Sequence, residues 1–595
     1  MKKRILAVML ACLMLTGCGP RRTEPIQAEP ETEGAVIAYV PLDDRPDNVG
    51  RVVYLAESLG YTLKMPEADD YRTRLKDQPL NENGTQYGDR ADLYEWMLEQ
   101  EAAGCDRYVI SMDQLLSGGL VNSRSMYESV PVELSDGTTL TEMQMMEQLL
   151  SILTADSDNR VWLLDSVMRL APTVGYDHWD LDGYNALRAY GMEARPDLSG
   201  EELTPENIAL NYRLSKDGAE LSLTDFDLKE AEVAEYLAAR SRKLGLTGQM
   251  QTLVAREGYE KFRVLIGIDD SSSEECIQKN EIAWLRQGLR EGDALLSGVD
   301  DLAFKAVSRL YLEEIDWEGA DACVLYYGET EDQPACAYDY KPLTEIMSEH
   351  LEFFGLREVL YPNESDFVIL VLTQPKDAEQ KAAYCTELIE SLKLKREAGL
   401  PTILIDAGNG QYGTSFHEML TEETELGWLM SYAGFLDMAI VTGTAMSHGV
   451  ARYAFLQHGE QTESTERAFA RTLADSVLKD FCYKHIVRND ILNFVRGDLA
   501  GNADNFWQPP LDLDAIQTRL ESGMDAAVQP VIENLERSNM ISALAPAREY
   551  AERGWGGVET AGYYFPWDRA FEIEMEIFLG EFTEPHEALW GVYYK

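Results

Sequence analysis

The chain has 595 residues, with 104 Asp and Glu against 52 Lys and Arg, and a formal net charge of −52. Hydrophobic residues at 45% place it among chains that build cores, not among disordered polyanions. The acidic excess argues against a nucleic-acid partner and against docking on anionic lipid, both of which need clustered Lys and Arg.

The N-terminus reads as an export signal: Lys2, Lys3 and Arg4, then an apolar run over 5–15. That run is shorter than the roughly 20 residues a membrane-spanning helix needs. It ends in Leu15-Thr16-Gly17-Cys18, which resembles a bacterial lipoprotein signal. The expectation is cleavage after residue 17, lipidation of Cys18 and a protein anchored to the cell membrane on its extracytoplasmic side. An ordinary signal peptide cut nearby is the alternative. Residues 18–34, rich in Pro and Glu, read as a flexible tether. Six further cysteines (Cys105, Cys276, Cys323, Cys336, Cys385 and Cys482) show no disulfide-framework spacing.

From residue 35 short continuous apolar runs alternate with helical stretches. The runs lie at 36–41, 107–112, 161–165, 263–268, 294–299, 322–327, 367–373, 402–405 and 438–442. Unbroken runs suit strands buried on both faces, as in parallel sheets. Helices are predicted between them, at 49–59, 93–103, 279–290, 343–354 and 378–398. This α/β alternation predicts a (β/α)8-barrel-like parallel domain with long insertions over 35–455; an open doubly wound sheet is the alternative. Residues 456–595 predict a smaller C-terminal α+β module, helical at 466–481 and 514–537, strand-like at 571–578 and 589–594.

Parallel α/β folds carry function at the carboxyl ends of their strands. Those positions here are Asp43, Asp44 and Arg45; Asp113 and Arg124; Asp165 and Arg169; Asp269 and Asp270; Asp300 and Asp301; and Asp406 with Asn409. Helix capping is the bland explanation for acids at such places. The chemical one is a carboxylate pair for glycoside hydrolysis, one acid as proton donor and the other as nucleophile or base. Asp269 and Asp270 are the predicted catalytic pair. Asp43, Asp44, Arg45, Asp113, Arg124, Arg169, Asp301, Asp406 and Asn409 are predicted to line the pocket, with the arginines orienting an anionic group. Tyr176, Trp179 and Tyr184 could stack on a sugar face.

Other templates fail. Gly408–Gly413 matches GxGxxG, but Asp406 sits where a pyrophosphate would approach, so a glycine turn is expected there. His178, His350, His417, His448, His458, His485 and His586 show no metal-ligand spacing, and no metal or other cofactor is expected. His448 is the histidine nearest the last predicted strand, with core placement as the alternative to a functional role.

The segments PLDDRPDN (41–48), SMDQLLSGGLVNSR (111–124), GIDDSS (267–272), SGVDD (297–301), the 406–409 turn and FPWDRAFEI (565–573) together resemble the bacterial domain-of-unknown-function 4127 family. The family pattern near the last strand reads AGWNT followed by GNTxGT. Leu436 and Ile440 stand at its two Asn positions, which implies altered specificity or lost activity. The resemblance implies no particular reaction. The residues favour a lipid-anchored hydrolase acting on carbohydrate or another small polar substrate. A non-catalytic glycan-binding lipoprotein and a metal-dependent hydrolase are the alternatives.

Overall fold

A computed structural model describes residues 34–434, 438–538, 554, 555, 557–580, 582 and 583. The predicted signal, tether and Cys18 lie outside these residues, as do Leu436 and the strand-like stretch 589–594.

Two open parallel sheets organise the fold. The first contains β1 (Ala35–Val40), β2 (Tyr61–Lys64), β3 (Arg107–Ser111), β4 (Arg160–Val167), β5 (Phe262–Ile268) and β6 (Ala294–Ser297), in the order β2-β1-β3-β4-β5-β6. The second contains β7 (Ala320–Tyr327), β8 (Leu356–Glu358), β9 (Phe367–Leu372), β10 (Thr402–Asp406) and β11 (Ser431–Gly434), in the order β8-β7-β9-β10-β11. Each sheet thus begins with the same winding: its second strand outside its first, then the remainder added on the other side.

The expected barrel is therefore corrected to two doubly wound sheets. Closure would need pairing between the outer strands, and none exists among the described residues: β6 and β11 both end their sheets. The sequence did not separate these cases because strands covered by helices on both faces are apolar throughout in either one. β9, FVILVL, is buried along its whole length.

Side chains alternate across the strands and feed separate cores. Ala38, Val40, Tyr108 and Ile110 face an outer layer holding α1 (Arg90–Ala102), α2 (Glu142–Thr154) and α3 (Glu230–Val254). Asp89 starts α1 by accepting from the Ala91 and Asp92 amides, and Thr141 with Gln144 forms a capping box on α2. Ile37, Tyr39 and Val109 face the opposite way and share one core with Ile369, Val371 and Ile405 of the second sheet. Helices α4 (Leu302–Glu314), α5 (Leu343–Phe353) and α6 (Met438–His458) lie in that shared layer. The run 438–442, expected as a strand, is the first turn of α6; β11 takes the strand position just before it.

The outer face of the second sheet (Val368, Leu370, Leu404, Tyr432) packs on α7 (Lys381–Glu397), α8 (Ser415–Glu423), α9 (Glu463–Val477), a π-helix over Leu478–Val487, α10 (Leu513–Arg537) and the hairpin β12 (Val558–Tyr564)–β13 (Glu574–Leu579). The C-terminal segment therefore completes the core of the second sheet. Cys105, Cys276, Cys323, Cys336, Cys385 and Cys482 are free. No helix among the described residues is long and apolar enough to cross a membrane.

Candidate functional site

Strand register sets the main cavity. Ile268 pairs with Val167 on one side and Ser297 on the other, so the chains leaving β4, β5 and β6 start side by side. Arg169, Asp269, Asp270 and Asp300 emerge from these ends and line a cavity of about 360 Å³. Ala439 and Ile440, at the start of α6, form the wall from the second sheet. Gly298, with φ of 90°, lets α6 come this close: a Cβ there would lie 3.3 Å from the Ile440 amide nitrogen and 3.0 Å from Asp301.

Three of the cavity carboxylates, Asp269, Asp270 and Asp300, are each matched to an arginine. Arg124 Nε and Nη2 both donate to Asp269 Oδ2, at 2.9 and 2.5 Å. Arg45 donates from both terminal nitrogens to the two oxygens of Asp300, at 3.0 and 2.5 Å. Arg169 gives Asp270 a single bond, Nη1 to Oδ2 at 2.9 Å, and its other nitrogens donate to the Ala171 and Pro172 carbonyls. Asp269 is closed off, with 3% of its side chain exposed and its Oδ1 accepting the Asp270 amide at 2.9 Å. Asp270 is 23% exposed, and its Oδ1 has no hydrogen-bond partner among the described residues. Burial pushes the Asp270 carboxyl above its ordinary range; Asp269 and Asp300 add to this, and Arg169 and Arg124 oppose it.

The far wall comes from the C-terminal segment. Trp567, at φ 55°, donates its indole N–H to Asp44 Oδ1 at 2.7 Å. Its ring lies between two guanidinium groups, Arg45 at 5.1 Å and Arg569 at 4.4 Å. Arg488 and Phe571 complete this side. A chain of net charge −52 thus presents five arginines around one cavity, and two of them, Arg488 and Arg569, had no signal at a strand end.

Of the predicted pocket residues, the structure brings Arg45, Arg124, Arg169, Asp269 and Asp270 to this cavity, with Tyr184 beside them. Others stand elsewhere. Asp43 is fully buried and ties its own loop, accepting from the Arg45 amide, Arg45 Nε and Asn48. Asp44 holds Trp567 from behind the cavity wall. Asp301 forms a wholly buried ion pair with Lys305 at 2.8 Å, and its neighbour Asp300 faces the cavity instead. Asp113 joins Asp165 around Lys243, beside a void of only about 10 Å³, too small for a substrate. Tyr176 and Trp179 are buried. Asn409 belongs to the glycine turn, at φ 48°.

Asp406 belongs to a second polar cluster. At the carboxyl end of β10 it meets His417 of α8 and His485 of the π-helix, with the three ligand atoms within 4.8 Å of one another. This is the one group among the described residues whose side chains are placed to share a metal ion. The absence of local His spacing did not show it, because the two histidines come from different elements. His448, in contrast, is a core residue of α6 packed on Phe469.

Two doubly wound sheets with a polar cavity at their strand ends define the molecule as an α/β protein of the open-sheet type. The chain belongs to the family described as Protein of unknown function (DUF4127), whose family model matches residues 37–576. No curated protein and no solved structure matches it.

Proposed function

We propose that the cavity is the active site of a glycosidase-like hydrolase, with Asp270 as the proton donor to the leaving oxygen. The observation that carries this reading is the state of Asp270: one oxygen anchored by Arg169, the other unpartnered and open to the cavity, and a carboxyl pushed up by burial. A carboxyl whose burial favours its protonated form suits leaving-group protonation. Asp300, 18% exposed, is the cavity acid assigned to base or nucleophile. Asp269 orients Asp270 through its backbone amide and neutralises Arg124. Tyr184 and Phe571 line the cavity with aromatic surface for a sugar, and the arginine-rich wall suits a substrate bearing a carboxylate or sulfate.

The test is a screen of polysaccharides and oligosaccharides, neutral and acidic, with product analysis by reducing-end release. Release of acidic products supports the reading; inactivity across the panel, with no retention of any glycan, contradicts it. A second reading, a glycan-binding protein without turnover, is favoured by the tight pairing of Asp269 and Asp300 with arginines. It predicts retention of a glycan with no new reducing ends.

The same proposal places the protein outside the cytoplasm on a lipidated Cys18, consistent with the sequence Leu15-Thr16-Gly17-Cys18. Metabolic labelling with a fatty acid, lost in Cys18→Ala, tests it; equal labelling of the variant contradicts it.

A further inference from the structure

We propose that Asp406, His417 and His485 form a three-ligand site for a divalent transition-metal ion of the zinc class, separate from the Asp270 cavity. The donor set is two imidazoles and one carboxylate, a combination that suits zinc and its neighbours rather than calcium or magnesium, which take oxygen ligands.

The geometry converges on one oxygen. His417 Nε2 lies 3.1 Å and His485 Nε2 3.6 Å from Asp406 Oδ2. Bonds of about 2.0–2.1 Å to a tetrahedral zinc put its ligand atoms about 3.3 Å apart. Two of the three ligand spacings therefore lie near that value, and all three ligand atoms lie within 4.8 Å of one another. The other carboxylate oxygen is already fixed: Asp406 Oδ1 accepts the Gly408 amide at 3.0 Å.

Two independent observations point to a ligand. First, His485 Nε2 is buried without a hydrogen-bond partner among the described residues, on a side chain only 8% exposed and aimed at Asp406. The Tyr432 hydroxyl is likewise buried and unpartnered there. Leaving such groups unpaired is unfavourable, and a bound ion and its water would offset that cost. Second, His485 comes from a ten-residue π-helix, Leu478–Val487, a geometry that is rare and concentrated at functional sites. In this segment Asp480 also meets β11, accepting the Gly434 amide at 3.3 Å, so the π-helix is held against the strand ends. Gly434 must be glycine for this approach, since a Cβ would lie 2.7 Å from the Tyr432 hydroxyl and 2.9 Å from Asp406 Cβ.

With three protein ligands, a fourth position is left for water, as in catalytic rather than closed structural zinc sites.

The experiment uses the full chain, stripped with chelator and titrated with zinc by calorimetry, then with cobalt as a spectroscopic probe. The expected result is one tight equivalent of zinc and visible cobalt bands of a nitrogen- and oxygen-ligated ion. His417→Ala and His485→Ala should each weaken zinc binding by roughly tenfold or more, while His178→Ala, at an exposed position, should not. If the alanine variants fail to fold, X-ray absorption of the zinc-loaded wild type, which counts imidazole ligands, supplies the same information. Absence of stoichiometric zinc uptake by the wild type overturns the proposal. So does uptake unchanged in the folded His variants, or a zinc-loaded wild type whose ion has no imidazole ligands.

Discussion

Asp44 accepts the indole N–H of Trp567 at 2.7 Å, joining residues 523 positions apart in the chain. The same Asp44 oxygen accepts the Thr73 amide at 3.0 Å, and Trp567 carries Arg45 and Arg569 on its ring. PLDDRPDN and FPWDRAFEI, far apart in sequence, therefore form one wall of the cavity.

Trp567→Phe keeps a ring between the arginines and removes the N–H. It should cost about 1–3 kcal/mol, because a buried Asp44 oxygen loses a donor. Urea unfolding of Trp567→Phe, Asp44→Asn and the double variant measures the coupling. Additive losses would mean the two side chains do not interact.

Asp301 and Lys305 are both 0% exposed, so neither charge has water to fall back on. Burial raises the Asp301 carboxyl to about 6 even with Lys305 beside it. Lys305→Met should cost about 3–5 kcal/mol, and adding Asp301→Asn should recover part of that loss. A double variant no more stable than Lys305→Met alone would remove the ion pair from the account.

His448 is buried, and both ring nitrogens lack hydrogen-bond partners among the described residues. Burial, with Arg452 and Arg51, pushes it down to about 3 from its ordinary 6.5. Between those values the unfolded chain binds a proton that the folded chain does not, so stability falls as pH drops from 6.5 toward 3. His448→Phe should flatten this part of the stability curve by up to about 1.4 kcal/mol per pH unit. Parallel wild-type and variant curves from pH 7 to pH 4.5, followed by thermal unfolding, would refute it.

Ile440 lines the cavity with an apolar side chain among polar neighbours. Ile440→Asn adds a donor and an acceptor facing a polar ligand, an effect of about 0.5–1.5 kcal/mol on binding. Affinity for the glycan retained by the wild type should rise several-fold, read by calorimetry. No change for any glycan would mean that Ile440 does not touch the ligand.

Eight of the eleven sheet strands were legible as unbroken apolar runs such as FVILVL; the short β2, β8 and β11 were not, because three or four residues carry too little pattern. The division into two sheets was not legible either, since hydrogen bonding across strand edges leaves no trace in such runs. The segment 438–442 read as a strand because it is apolar and holds Ile440 and Val441; its burial inside the shared helical layer supplies the same composition. The acid pairs were legible as strand ends, but not which member turns inward. Gly298, at positive φ, turns the chain so that Asp300 faces the cavity and Asp301 the core. Arg488, Arg569 and the His417–His485 pair were illegible for a different reason: each reaches its place across chain separations where spacing carries no information.

On the proposal that Asp270 donates the proton in glycan hydrolysis, the most direct measurement is the turnover of Asp270→Asn on whichever glycan the wild type cleaves. An amide there keeps the size of the side chain and removes the acid. Reducing-end release should fall by about 10²-fold or more while glycan affinity and the unfolding midpoint stay near wild type. Turnover within about twofold of wild type would contradict the assignment, since general acid catalysis of this kind is worth far more than that.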